Sequence, residues 1–253
     1  RYVSAGENLI DVTSADHYTA VGDHVIFSTS STRRVDGIWK NAIQLRSTNG
    51  TNATTLLDFE TQSSQHAIEQ IVHFDGLTYF VMREPKDSLR ERFIWTTDGT
   101  VEGTNRLASM GDSHSFEFLY PAGDALFFNN DGNLWKTDGT SAGTVSVKEN
   151  VGPRPHLASV GNDLYFAYEA YEDEVLRGER AETAYRQLWK SDGTEAGTTQ
   201  ISDAELPADS AYGEAVFASL GDKLIFRAES NRGLQLWSSD NATVLFESPK
   251  GES

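Results

Sequence analysis

The chain has 253 residues, 21 basic against 38 acidic side chains, a net charge of −17 and no cysteine. Without Cys there is no disulfide scaffold, zinc–thiolate or iron–sulfur site and no cysteine nucleophile. The acidity weighs against a nucleic-acid partner or an anionic membrane surface, and no apolar run approaches the roughly 18 residues of a transmembrane segment.

In chain order, Asn8–Val12 reads first as a strand, and from there the sequence repeats itself. One phrase occurs as Gly22-Asp23-His24-Val25-Ile26-Phe27, Gly123-Asp124-Ala125-Leu126-Phe127-Phe128, Gly161-Asn162-Asp163-Leu164-Tyr165-Phe166 and Gly221-Asp222-Lys223-Leu224-Ile225-Phe226, with Asp75-Gly76-Leu77-Thr78-Tyr79-Phe80 as a variant. After each comes a second phrase. Its clean copies start at Ile94-Trp95-Thr96-Thr97-Asp98-Gly99-Thr100, Leu134-Trp135-Lys136-Thr137-Asp138-Gly139-Thr140 and Leu188-Trp189-Lys190-Ser191-Asp192-Gly193-Thr194, each closed by a later Gly-Thr pair. Worn copies flank them: Leu45–Thr51, where Arg46 replaces Trp, and Leu236-Trp237-Ser238-Ser239-Asp240. At the Asp/Asn position the steps are 49, 40, 54 and 48 residues.

Each repeat reads as four short strands separated by Gly-Asn/Asp and Asp-Gly turns. Repeated radially, such units make an all-β, five-bladed β-propeller with about four antiparallel strands per blade. A single domain over 1–253 is expected, with repeats at about 14–58, 66–108, 114–149, 154–203 and 212–247, and with 8–12 as a candidate closing strand. Trp95, Asp98, Gly99, Trp135, Asp138, Gly139, Trp189, Asp192, Gly193 and Trp237 are read as structural: buried aromatics, and turn residues that bond the backbone or take a left-handed conformation.

These phrases resemble the ELWxxDGT repeat of large bacterial secreted and cell-surface proteins. The resemblance implies an extracytoplasmic location (secreted, periplasmic or cell surface) and little about chemistry.

Function is expected on the connections between the second and third strands, which vary most. They are read as Ser28–Ile43, Val81–Phe93, Asn129–Asn133, Ala167–Gln187 and Arg227–Gly233. Together they hold 12 of the 21 basic and 12 of the 38 acidic residues, so the whole net charge lies elsewhere. Candidate ligand- or partner-binding residues are Arg33, Arg34, Trp39, Arg90, Arg92, Tyr168, Tyr171, Arg177, Tyr185 and Arg232. Arginine and aromatics dominate interface hot spots, and they also suit a sugar face with a carboxylate or sulfate.

The main expectation is a non-catalytic binding module for a protein or a glycan. A structural or assembly subunit of a larger surface complex and a carbohydrate-active enzyme stand as alternatives. The enzyme would draw on Asp16, Glu69, Glu117, and Asp209 or Glu214 near the inner strands, with one acid and one base at a defined separation. No catalytic residue is assigned. His17, His66, His114 and His156 precede first strands but lack ligand spacing, and no D-x-D-x-D-G loop for calcium occurs. No cofactor or metal is expected. The sequons at Asn49, Asn52 and Asn241 all lie in repeat turns.

Overall fold

Alternating strands bounded by Gly-containing turns build hairpins between sequence neighbours, and the fold is a succession of them. The computed structural model describes residues 2–5, 8–11, 15–35, 38–61, 68–83, 91–111, 116–151, 156–170, 185–207, 217–230, 233–239 and 243–247. These form five four-stranded antiparallel sheets, each of strands consecutive in the chain, the blade set of an all-β, five-bladed β-propeller.

Sheet 1 holds β3 (Ala15–Val21), β4 (His24–Val35), β5 (Ile38–Thr48) and β6 (Ala53–Thr61). Sheet 2 holds β7 (Ile68–Phe74), β8 (Leu77–Arg83), β9 (Arg92–Thr97) and β10 (Asn105–Ser109). Sheet 3 holds β11 (Phe116–Ala122), β12 (Ala125–Asn130), β13 (Asn133–Thr137) and β14 (Val145–Lys148). Sheet 4 holds β15 (His156–Val160), β16 (Asp163–Ala170), β17 (Tyr185–Ser191) and β18 (Thr199–Pro207). Sheet 5 holds β19 (Phe217–Leu220), β20 (Lys223–Ser230), β21 (Gly233–Ser238) and β22 (Thr243–Glu247).

β2 (Asn8–Asp11), within the segment expected as a candidate closing strand, pairs with β1 (Tyr2–Ala5) in a two-stranded sheet, and β22 is the fourth strand of sheet 5. The long connections are also partly strand. β4 and β5 stay in unbroken register from Val25↔Thr48 to Val35↔Ile38, across most of the expected Ser28–Ile43 loop. Backbone pairing needs no apolar side chain, and Thr29, Thr32, Val35, Ile38 and Ile43 all favour an extended chain. β16 and β17 likewise remain paired as far as Ala170↔Tyr185.

The chain divides into two compact units, Arg1–His114 with Gly139–Ala142 and Ser115–Asp138 with Gly143–Ser253. In the first, Leu45 and Leu56 of sheet 1 pack on Phe80 of sheet 2. In the second, Leu134 and Val147 of sheet 3 pack on Leu164 and Phe166 of sheet 4, and Leu188 of sheet 4 packs on Leu224 and Phe226 of sheet 5. The third-strand Leu therefore faces the following sheet. The Trp beside it faces the preceding one, since neighbours on a strand point to opposite sides.

Register explains why the two phrases travel together. The Phe that ends the first phrase lies directly opposite the motif Trp: Phe80↔Trp95, Phe128↔Trp135, Phe166↔Trp189 and Phe226↔Trp237. Each pair stacks, with ring centroids 6.0–6.3 Å apart and interplanar angles of 17–22°. Such a pair adds about 0.5–1.5 kcal/mol beyond its buried area.

All five sheets also carry a β-bulge between the third and fourth strands beside the motif. The extra residue is always aliphatic: Leu56, Leu107, Val147, Ile201 and Leu245. A bulge can turn two successive side chains to one face, and here it widens the apolar surface offered to the next sheet.

Candidate functional site

The most repeated residues build turns. In sheet 2, Asp98 Oδ1 accepts from the Thr100 amide at 2.9 Å and the Thr100 hydroxyl at 2.7 Å. Thr100 Oγ1 accepts from the Gly103 amide at 2.9 Å, and the Thr104 hydroxyl donates to the Thr100 carbonyl at 2.5 Å. Thr97 Oγ1 accepts from the Gly99 amide at 3.0 Å and lies 2.7 Å from Thr104 Oγ1. Ser191, Asp192, Thr194, Gly197 and Thr198 repeat this arrangement in sheet 4. Gly99, Gly139 and Gly193 take φ of 91°, 89° and 84°, the left-handed region open to glycine. The eight-residue loop thus satisfies its own polar groups. Its aspartates are scaffold.

Donors from Thr100 and Thr194, the hydroxyl before the amide, hold the Asp98 and Asp192 carboxyls below the usual carboxylate range. A lowered folded pKa means stabilisation that is complete above the unfolded value of about 4 and lost as pH falls through the folded one. Thr100→Val removes the strongest donor to Asp98. The variant should therefore melt below the wild type at neutral pH, with the gap narrowing as the pH falls below the unfolded carboxyl value of about 4. Thermal midpoints of both proteins from neutral to acid pH check this, and a gap that widens in acid would contradict it.

The connections between second and third strands place the predicted binding residues as follows. Register sets Arg33 opposite Lys40 and Arg34 opposite Trp39 near the end of the β4–β5 hairpin. Tyr168 pairs with Gln187, and Tyr185 with Ala170, near the end of β16–β17. Arg90, Tyr171, Arg177 and Arg232 lie outside the described residues. Arg92 is buried at the start of β9, directly opposite Arg83.

Arg83 and Arg92 share one carboxylate. Glu69 sits where the β7–β8 register shifts between Ile68 and Gln70. Its Oε2 lies 3.0 Å from Arg92 Nε, and its Oε1 faces Arg83 Nε. Like charges directly across a strand pair repel, and Glu69 offsets that repulsion. Glu69 was expected as a carboxylate near the inner strands. Both its oxygens are engaged by guanidinium groups instead, which no spacing in the sequence announces, because only the bulge brings it there. The nearest available signal was Arg83 within an Arg-rich connection. Glu69→Gln should lower stability by about 1–3 kcal/mol, since hydrogen bonds to charged groups are of that size. Urea unfolding measures it, and an unchanged midpoint would show the cluster to be ornamental.

Of the other carboxylates, Asp16 and Glu117 lie on β3 and β11, while Asp209 and Glu214 fall outside the described residues. His66 and His114 also fall outside them, and His156 begins β15. Among the described residues no three His, Asp or Glu gather where they could hold a metal, and no helix is long and apolar enough to cross a membrane. Asn49 accepts through Oδ1 from the Thr51 and Asn52 amides, both at 3.0 Å, so it has a turn-forming role. A cleft of about 380 Å³ in the second unit is lined by Ser146, Val147, Lys148, Glu149 and Glu195. It mixes one ammonium with two carboxylates and has no aromatic floor.

No protein-family model matches this sequence, and no curated protein matches it. Among solved structures, the β-propeller domain of the Trilobed protease from Pyrococcus furiosus, described as having an open velcro topology, is 12% identical. That match has a TM-score of 0.49 and covers 91% of this chain and 70% of the other. A chain of a nidogen/laminin complex is 10% identical with a TM-score of 0.33, covering 87% and 92%. The catalytic domain of a Coprinopsis cinerea GH62 α-L-arabinofuranosidase is 10% identical with a TM-score of 0.30, covering 87% of each chain. The fold assignment stands on the five sheets themselves.

Proposed function

We propose that this chain is a non-catalytic binding module of an extracytoplasmic or cell-surface protein, and that its second-to-third-strand ends hold a carboxylate- or sulfate-bearing glycan or protein. The observation that supports this most is the Arg83–Glu69–Arg92 cluster. Two guanidinium groups meet one carboxylate there, which concentrates arginine at this end of the sheet in a chain of net charge −17. At the corresponding end of sheet 1 the register sets Arg33 opposite Lys40 and Arg34 opposite Trp39, one pair for each side of the hairpin. Planar guanidinium forks bind carboxylate and sulfate in two-toothed fashion, and an indole offers an apolar face to a sugar ring.

A carbohydrate-active enzyme is the second reading. The engagement of Glu69 by two arginines weighs against it, since that carboxylate has no oxygen left to approach a glycosidic bond.

A glycan array with neutral, uronate and sulfated members tests the proposal. Binding should be confined to the anionic members and weaken with salt. Arg33→Ala/Arg34→Ala should lower affinity about tenfold or more, an amount expected for one or two charge-assisted contacts, without moving the melting temperature. Equal binding to neutral sugars, or an unchanged affinity in that variant, would sink it.

A further inference from the structure

The turn between the third and fourth strands of sheet 1 is the one copy of the motif turn built on a neutral amide. Asn49 stands where sheets 2 to 5 have Asp98, Asp138, Asp192 and Asp240, and Gly50 follows it. Of the asparagines in the chain, only Asn49 precedes a glycine. Asn49, Gly50, Thr51 and Asn52 are all exposed, so water reaches the turn.

Four hydrogen bonds set its chemistry. The amides of Thr51 and Asn52 both donate to Asn49 Oδ1, each at 3.0 Å. They draw electrons from the side-chain carbonyl and are placed to hold negative charge on its oxygen, as an oxyanion hole does. The Gly50 amide donates to Thr48 Oγ1 at 3.1 Å, while the Thr48 hydroxyl donates to the Asn52 carbonyl at 2.7 Å. A lone pair of that hydroxyl thus faces the Gly50 N–H. Without a Cβ, Gly50 presents its nitrogen unshielded, and nothing else lies within 4 Å of where a Cβ would stand.

We propose that Asn49 is a self-modification site, at which the folded turn converts the Asn-Gly of sheet 1 to Asp-Gly. The Gly50 nitrogen bonds to Asn49 Cγ, its proton leaving to solvent hydroxide past Thr48 Oγ1. The Thr51 and Asn52 amides hold the charge that forms on Oδ1. Collapse of this oxyanion breaks the Cγ–Nδ2 bond, and Nδ2 takes a proton from water and departs as ammonia. A five-membered imide remains. Water then adds at Cγ and the Cγ–N bond breaks, restoring the Gly50 N–H and leaving a carboxylate. Addition at the backbone carbonyl of residue 49 would instead give an isoaspartyl linkage, but the two donors polarise Cγ and direct water there. In sheets 2 and 4 the same acceptor is already a carboxylate, whose charge repels a nucleophile. The product gains their Asp-Gly-Thr, with Thr51 in the place of Thr100 and Thr194, whose hydroxyls donate to Asp98 and Asp192 at 2.7 Å. This turn lies at the other end of β5 from the binding reading above and is independent of it.

Incubation of the protein for days in warm, mildly alkaline buffer, native and unfolded in urea, tests this by peptide mass mapping. The amide-to-acid mass gain should be confined to the peptide holding Asn49. It should form at least about tenfold faster in the native protein, a modest effect for two oxyanion donors. Aspartate should outnumber isoaspartate there, as isoaspartyl methyltransferase labelling reads. Thr48→Val, shown to be folded by circular dichroism, should slow the native reaction about tenfold or more. Gly50→Ala, which shields the nitrogen, serves as a second variant should Thr48→Val not fold. A native rate no faster than the unfolded one would overturn the inference. So would equal gain at Asn52 or Asn241, a majority of isoaspartate, or an unchanged rate in the folded variant.

Discussion

Phe166→Ala is expected to cost about 3–5 kcal/mol, the largest loss from any single truncation considered. Phe166 is fully buried, packs between sheets 3 and 4 with Leu134, Val147 and Leu164, and stacks on Trp189 at 6.3 Å. Truncation removes the ring's transfer energy, leaves a cavity that β-sheet backbone cannot collapse into, and strands one side of the indole. Phe246→Ala is the control. That Phe is 63% exposed, so its loss should fall within about 0.5 kcal/mol in a dilute sample. Urea unfolding of both variants checks the contrast. Equal midpoints would mean that the Phe166 side chain does not carry the sheet-to-sheet contact.

Gly103→Ala should cost about 2–3 kcal/mol, as overpacking a site that cannot move does. Its φ is unremarkable. The difficulty is space, since an added Cβ would lie 2.0 Å from Asp98 Oδ1. The carboxylate cannot withdraw without giving up its two bonds from Thr100. Asp98→Ala in the same molecule removes the obstacle, so the double variant should be more stable than the sum of the two losses predicts. Gly221→Ala offers a comparison: with φ of 63° and nothing within 4 Å, it should lose only about 1 kcal/mol from backbone strain. Strict additivity in the Gly103/Asp98 pair would refute the steric account.

The closing Gly of each motif shows what the sequence carried and what it withheld. Its recurrence at 103, 143 and 197 was plain in the sequence. Its reason was not, because a carboxylate lying over an α-carbon is a matter of three dimensions. Strand identity and order were legible wherever apolar alternation met a Gly turn. They were lost in Ser28–Ser31, where hydroxyl residues carry no burial signal yet still pair. Arg92 could be named from composition as a binding candidate. Its partners Glu69 and Arg83 depend on a register shift that leaves no mark on residue spacing. The bulges escaped for the same reason, although their aliphatic occupants sit at regular places.

Because every sheet is made of strands consecutive in the chain, its pairing can be complete as soon as its last strand leaves the ribosome. Local closure of this kind is quick. The aliphatic face around the third-strand Leu must nevertheless wait for some forty to fifty further residues before its cover is made, as the 40- to 54-residue steps dictate. During synthesis the growing end is thus always a finished sheet with one bare side, and this is the stage at which nascent chains would adhere to one another.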